Sequence, residues 1–466
     1  MTTWFDVTTI LAWQRPAVGI IRTETECAGY ALSEISNGAD IKFCSFDNAS
    51  GFTKVSAAEV AGTLKRISGD HAQATVGILS RQPHKKALET QLKEIALIIT
   101  SRLPSRVRGV LYQAFQRRRS AIVEALVSFR HFRLALSLFL KPASNKFISN
   151  KTNTSLILEE SPFKKDDCYI SVGLDWDNKD LPYLYSLKKH VGMKVVLCCY
   201  DIIPVRLPHL CVGDVAAKFA NYFSDVAWCA DQILCISEYT RTDLKLLLEE
   251  LGAPVPDMPV IKLGGDILQQ KSPETSVEVF PLLEKKFVLF VSTIERRKNH
   301  EILYRAYTRL INKGVENLPL LVFVGMPGWG VNDFLKDLEL DPRVKDYIKV
   351  LSNVSDSDLV ALYRNCMFTL FPSLYEGWGL PVAESLAAGK YCLASNAASI
   401  PEVGGTLLDY IDPWDILSWE SELEKYITDS EALRLKEKYI KNGYRVVPWY
   451  ETAESVFSNA VKSFTS

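Results

Sequence analysis

The sequence predicts an α/β protein of two domains, each built on a parallel sheet covered by helices. Three observations predict it. The chain of 466 residues exceeds what one ordinary core holds. Short apolar runs rich in β-branched residues alternate with helical patterns through the second half, and a looser version fills the first. The stretch "ELGAPVPDMP" (250–259), with its three prolines, reads as the linker between them.

In chain order, "WFDVTTI" (4–10) reads as the first strand. The loop and helix "AVGIIRTETECAGYALSEIS" (17–36) follow it. Further strands are expected at "DCYISVG" (167–173), "KVVLCCYDIIP" (194–204) and "DQILCISE" (231–238). In the second half they fall at "KFVLFVSTI" (286–294), "PLLVFVG" (319–325), "YIKVL" (347–351), "FTLFPS" (368–373) and "YCLAS" (391–395). Between these lie the helical patterns "NHEILYRAYTRLINK", "SDSDLVALYRNC" and "PVAESLAAG". Unbroken apolar strands alternating with helices imply parallel sheets buried on both faces, which bind ligands beyond the carboxyl ends of their strands. The expected division is 1–255, 256–448, and a last helix over 449–466 that can return to the N-terminal domain.

Composition limits the function. A hydrophobic content of 47% and a charged content of 23% are those of a soluble globular chain. The 54 Lys and Arg balance 55 Asp and Glu, and a net charge of −1 argues against nucleic-acid binding. Ten cysteines without a CxxC pair point to buried, reduced thiols in the cytosol. "MTTWFDVTTILAW" has no basic stretch before its apolar residues, so no signal peptide is expected, and no window offers a membrane span. Residues 82–146 depart from this balance, with 13 Lys and Arg against three Glu among apolar residues. They read as a helical basic insertion that either lies on anionic lipid or presents a solvated basic face.

The chemistry concentrates in "FPSLYEGWGLPVAESLAAG" (371–389). Glu376 stands at the end of a strand, and Glu384 falls in the first turn of a helix that Pro381 starts. Taken alone, Glu384 complements a helix dipole and Glu376 is a loop residue. Together, beside Gly377 and Gly379, they place two acceptors next to helix-end N–H donors. Sugar hydroxyls need acceptors and phosphates need donors; a sugar nucleotide has both. "STIERRKN" (292–299) brings Arg296, Arg297 and Lys298 to the start of another helix, either as a diphosphate site or as a solvated basic turn. Gly19 precedes a helix, where it lets a phosphate approach the backbone or simply makes a tight turn. Asp201, in "YDIIP", either orients an acceptor or caps a helix. Ser237 and Glu238 either line a cleft or begin a helix. There is no GxGxxG, no DxD and no paired histidine, so neither a dinucleotide cofactor nor a metal is expected.

"EGWGLPVAE" resembles the Glu-x7-Glu signature of retaining glycosyltransferases of family 4, which have the GT-B fold. The resemblance extends through "CISEYTRTDL", "STIERRKNHEIL", "LVFVGMPGWG" and "SNAASIPEVGG". It implies two Rossmann-like domains facing across a cleft, with the basic insertion in the first. By this resemblance Glu376 lies by the donor sugar, Glu384 holds the ribose and Lys298 binds the diphosphate. Many relatives carry an arginine where Thr293 stands, and the resemblance leaves Arg297 or, as the alternative, Arg296 to substitute for it. Gly19, Gly377, Gly379 and Leu380 complete the donor site. Tyr200 stands where relatives have histidine, so no histidine role carries over. "FDVT…VGIIRTE" resembles bacterial polysaccharide mannosyltransferases, which implies GDP-mannose as donor and a lipid-linked or growing surface polysaccharide as acceptor. A UDP-sugar transferase, an epimerase or phosphorylase, and an idle sugar-nucleotide-binding subunit remain as alternatives.

Overall fold

The computed structural model describes residues 1–14, 17, 19–48, 50–68, 161–211, 215–266, 276, 279–328 and 330–465. The basic tract 82–146 lies outside them. Two six-stranded sheets organise the described residues. The first runs in the order β3-β2-β1-β4-β5-β6, made of β1 (Thr3–Asp6), β2 (Ile41–Asp47), β3 (Gly51–Val55), β4 (Cys168–Ser171), β5 (Lys194–Cys199) and β6 (Gln232–Cys235). The second runs β12-β11-β10-β7-β8-β9, from β7 (Phe287–Val291), β8 (Leu320–Val324), β9 (Ile348–Leu351), β10 (Thr369–Phe371), β11 (Cys392–Ser395) and β12 (Tyr410–Ile411).

Both orders have the same logic. Each chain segment runs outward from its first strand, returns beside it and continues the other way. The reversal falls between β1 and β4 in one sheet and between β7 and β10 in the other. Crevices open at such reversals, beyond the carboxyl ends of the strands. All pairings are parallel except β2 with β3. Central strands such as "FVLFV" and "VVLCC" are buried nearly throughout, as sheets covered on both faces require. This is a GT-B-like α/β fold of two domains.

Four local expectations change. The first strand stops at Asp6, because its carboxylate accepts the Thr8 N–H (2.9 Å) and starts a short helix, Thr8–Ala12. The sequence reading does not include β2 and β3; β3 is an edge strand with exposed Thr53 and Lys54, which weakens its apolar signal. β12, two residues at an edge of the second sheet, is also absent from it. The prolines at 250–259 do not form a free tether. Asp257 and Pro259 accept N–H bonds from Ile233 and Cys235 (2.8 and 2.9 Å), so this stretch covers the edge of β6.

The last helix, Trp449–Thr465, packs on the first sheet: the Phe457 ring lies 5.4 Å from both Phe5 and Tyr30. Its first N–H, from Trp449, is taken by Asp266 (3.0 Å). All ten cysteines are free, and burial raises the thiols of Cys198 and Cys199 well above their ordinary range. Among the described residues no helix is long and apolar enough to cross a membrane.

Candidate active site

The site forms where the second sheet reverses. Beyond β7 the chain extends to Glu295, and Arg296–Lys298 make one 3₁₀ turn. Asn299 then adopts a left-handed conformation (φ 60°) before the helix His300–Lys313. The cations therefore stand on their own turn ahead of the helix, not in it. The Asn299 amide pins this turn by donating to the carbonyls of Pro372 (3.2 Å) and Pro413 (2.8 Å). Beyond β10, Leu374 donates its N–H to the Arg297 carbonyl (2.8 Å), which fixes the two loops side by side.

This brings three charges together. Lys298 Nζ donates to Glu376 Oε1 at 2.6 Å, and Arg297 lies 2.8 Å from Oε2. Arg297 also donates to the Tyr375 carbonyl (2.7 Å). Arg296 points elsewhere, toward the His209 carbonyl at 3.4 Å, and is exposed. Burial alone would raise the Glu376 carboxyl, but Arg297 and Lys298 outweigh it and hold it at about 2. Burial and the neighbouring Arg297 push the Lys298 ammonium below its ordinary range, despite Glu376. Burial works against the charge on Arg297 too, yet Glu376, Asp201 and Glu295 keep it above the ordinary value. Thr293 brings no charge to the cluster, and Arg297 supplies the second cation.

Gly377 serves a close approach of the chain to itself. A Cβ there would lie 1.9 Å from the Tyr200 carbonyl oxygen and 3.1 Å from Asp201 Cβ. Only glycine lets this turn dock on the loop after β5. The contact places Asp201 beside the cluster. Its carboxylate accepts the Ile203 N–H (3.0 Å), and burial raises its pKa while Arg297 opposes the rise. Tyr200, at the position of the absent histidine, is a buried brace whose hydroxyl donates to the Val172 carbonyl at 2.6 Å. Ser237 caps the helix Glu238–Glu250 by accepting the Thr240 N–H. Glu402 accepts the N–H groups of Glu238 and Tyr239, both at 2.8 Å, and so ties the second half to the first.

The ribose candidate lies one helix turn further on. Gly379 (φ 126°) precedes the helix Leu380–Ala387, which starts one residue earlier than Pro381. Glu384 is consequently in the second turn, not the first. Its Oε2 accepts from the hydroxyl of Tyr363, a fully buried side chain, at 2.8 Å. Burial raises the Glu384 carboxyl, while the Tyr363 bond and the charge of Arg22 draw it back. Arg22 belongs to the helix Ile20–Ser36, which Gly19 precedes with φ 53°. No atom of the described residues lies within 4 Å of the place a Gly19 Cβ would take. Apart from its chain neighbours, the described residues leave that place open at a helix N-terminus.

The sequence reading missed Tyr363, Arg22 and Glu402. All three stood inside quoted stretches, "VGIIRTE", "SIPEVGG" and "SDSDLVALYRNC", but Tyr363 left no signal of its own, being one aromatic in an amphipathic helix. Among the described residues no group of three His, Cys, Asp or Glu side chains could hold a metal ion. The arrangement offers two cations and helix-end N–H groups to an anion, and carboxylates to hydroxyls.

Known proteins share parts of this chain. The crystal structure of Anabaena HepE, in complex with UDP and glucose, aligns over 99% of this chain and 100% of that one, with a TM-score of 0.55 and 12% identity. At that identity the likeness is one of fold. The serotype-specific mannosyltransferase WbdA of Escherichia coli is 28% identical over 273 residues, 56% of this chain and 33% of its own length. The O-antigen chain mannosyltransferase B of Escherichia coli is 31% identical over 193 residues, 40% of this chain and 49% of its own. The chain thus spans between a third and a half of these relatives. Residues 273–446, which hold the charge cluster and both glutamates, match the family model of the glycosyl transferases group 1, and this match corrects the expected assignment to family 4.

Proposed function

We propose that the protein is a retaining, metal-independent glycosyltransferase that moves a sugar from a nucleotide-sugar onto a surface polysaccharide. The observation that carries this reading is the Arg297–Lys298–Glu376 cluster at the reversal of the second sheet. Similarity to the Escherichia coli mannosyltransferases supports mannose as the sugar, GDP-mannose as the donor, and a lipid-linked or growing glycan such as O-antigen or capsule as the acceptor.

In this reading Lys298 and Arg297 hold the diphosphate, and Glu384 takes the ribose hydroxyls. Gly19 and the Gly377–Leu380 turn offer backbone N–H groups, with Gly379 setting the helix start. Glu376 stands by the donor sugar and Asp201 orients the acceptor. The acceptor oxygen bonds to the anomeric carbon on the face from which the diphosphate departs, and a diphosphate oxygen takes the acceptor's proton. Negative charge on the leaving group grows as the bond breaks, so the two cations act most strongly in the transition state. Removing one such donor costs on the order of 10²–10³ in rate. The basic tract 82–146 would bring the protein to the inner face of an anionic membrane, where lipid-linked acceptors reside; salt-sensitive sedimentation with anionic but not neutral vesicles is expected.

A thermal-shift screen over GDP-, UDP- and dTDP-sugars, with product analysis for the best donor, tests the function. GDP-mannose should raise the apparent stability most. A shift with UDP-sugars alone reassigns the donor, and no shift with any of them overturns the reading.

A further inference from the structure

The first sheet reverses between β1 and β4, and near it an open surface cleft of about 410 Å³ lies beyond the carboxyl ends of β2 and β4, closed on one side by the helix Val215–Cys229. That volume is within the range of small-molecule sites. It shares no residue with the charge cluster on the second sheet. Its lining includes Trp176, Asp180, Lys218, Asn221, Tyr222 and Asp225. The Trp176 and Tyr222 rings stand 6.1 Å apart at 82° and are half-buried, so both offer surface to an occupant.

Charge restricts what that occupant is. Lys179, also in the lining, has its ammonium buried against Asp6 (2.7 Å) and Asp175 (3.2 Å). Lys218 is held by Asp177 at 3.0 Å. The Lys179 ammonium is therefore fully matched, whereas Lys218 shares only an exposed pair with Asp177. Asp180 occupies the N-terminus of the helix Leu181–Val191, accepting the Tyr183 N–H at 2.9 Å. The remaining polar side chains are the acceptors Asp180 and Asp225 and the amides Asn48 and Asn221, which both donate and accept. An anion such as phosphate would meet the Asp180 and Asp225 carboxylates, and the accessible cation among the described lining residues, Lys218, already faces Asp177. A neutral ring with an apolar C–H face and hydroxyl donors at its edge fits both the aromatic rings and the acceptors.

We propose that this cavity is a pyranose subsite, which holds a neutral sugar ring of the acceptor glycan. Its assignment to the acceptor rests on the transferase reading above; its ability to bind a pyranose does not. The aromatic rings bury the C–H face of the sugar, and Asp180 and Asp225 accept its hydroxyl protons. A ring held at the reversal of the first sheet leaves the second sheet free for the donor.

Saturation-transfer difference NMR on the full chain, presaturated with GDP to occupy the donor site, tests this. The probes are linear trisaccharides of mannose, glucose and galactose, with glycerol and tetramethylammonium chloride as controls. At least one trisaccharide should show strong transfer to its ring C–H protons, and glycerol none. Trp176→Ala should weaken its binding roughly tenfold, the scale of one lost aromatic contact. Asp225→Asn, an exposed change that leaves the fold alone, should weaken it by several-fold. GDP affinity by calorimetry should be the same in both variants. The proposal is overturned if no trisaccharide binds, if tetramethylammonium displaces the bound sugar, or if both variants bind as the parent does. Sugar binding at Trp176 in a protein without affinity for any nucleotide removes the transferase reading and keeps the subsite. Nucleotide binding without sugar binding removes the subsite alone.

Discussion

Glu376→Gln takes one negative charge from between two cations while keeping the side chain's shape and an acceptor oxygen. Arg297 and Lys298 lie 2.8 and 2.6 Å from the carboxylate, with side chains only 16% and 13% exposed. Leaving a buried charge without its partner costs ~3–5 kcal/mol. Arg297 keeps Glu295 at 3.7 Å and Asp201 nearby, so the loss falls mainly on Lys298 and toward the low end, about 3 kcal/mol. In a domain of this size that corresponds to a fall in apparent Tm of roughly 6–12 °C. Differential scanning calorimetry measures it. On the proposed reading, GDP at saturating concentration should stabilise parent and variant alike by mass action, while its diphosphate should also return the missing negative charge. The gain should therefore be larger in the variant, and guanosine should not reproduce it. Acid supplies a second check. The folded pKa of Glu376 is depressed from 4.5 to about 2. Its stabilisation is complete above pH 4.5 and fades as the pH falls toward 2, so the gap between parent and variant should narrow below pH 4.5. A variant as stable as the parent at neutral pH, or one rescued equally by guanosine, refutes the reasoning.

Three further outcomes are expected. Lys298→Ala should lower kcat more than it raises the donor KM, by about 10²–10³, and Arg297→Ala should follow it; Arg296→Ala, which loses only an exposed contact to His209, should be mild in steady-state kinetics. Glu384→Ala should weaken nucleotide binding in calorimetric titration and cost about 1–3 kcal/mol of stability, because the buried Tyr363 hydroxyl loses its acceptor; unchanged affinity would limit Glu384 to that structural bond. Gly377→Ala should force the turn away from the Tyr200 carbonyl, 1.9 Å from the new Cβ, at a cost of ~1–3 kcal/mol, with a fall in kcat/KM of about tenfold or more and a lower apparent Tm.

Much of the fold was legible in the sequence. "FVLFV" and "LLVFV" are apolar at every position, so they had to be strands buried on both faces whatever surrounded them. The spacing of Glu376 and Glu384 across a glycine turn, and the run of cations after β7, are likewise written in adjacent residues. Local signals determined these because the chain settles them within a few residues. Tertiary structure decided the rest. β1 ends early because Asp6 turns to cap Thr8 and Tyr169 and Lys179, far away in sequence, bind its other valences. Neighbouring arginines in a tight turn point in different directions, and only the docking of β10 beside β7 makes Arg297 the partner of Glu376. Gly377 is needed because a carbonyl 177 residues earlier comes against it, and Glu384 takes a hydrogen bond from Tyr363 on one helix and feels the charge of Arg22 on another. Propensity and periodicity report the conformation of a segment; the partner of a buried charge is fixed by whichever distant element closes over it.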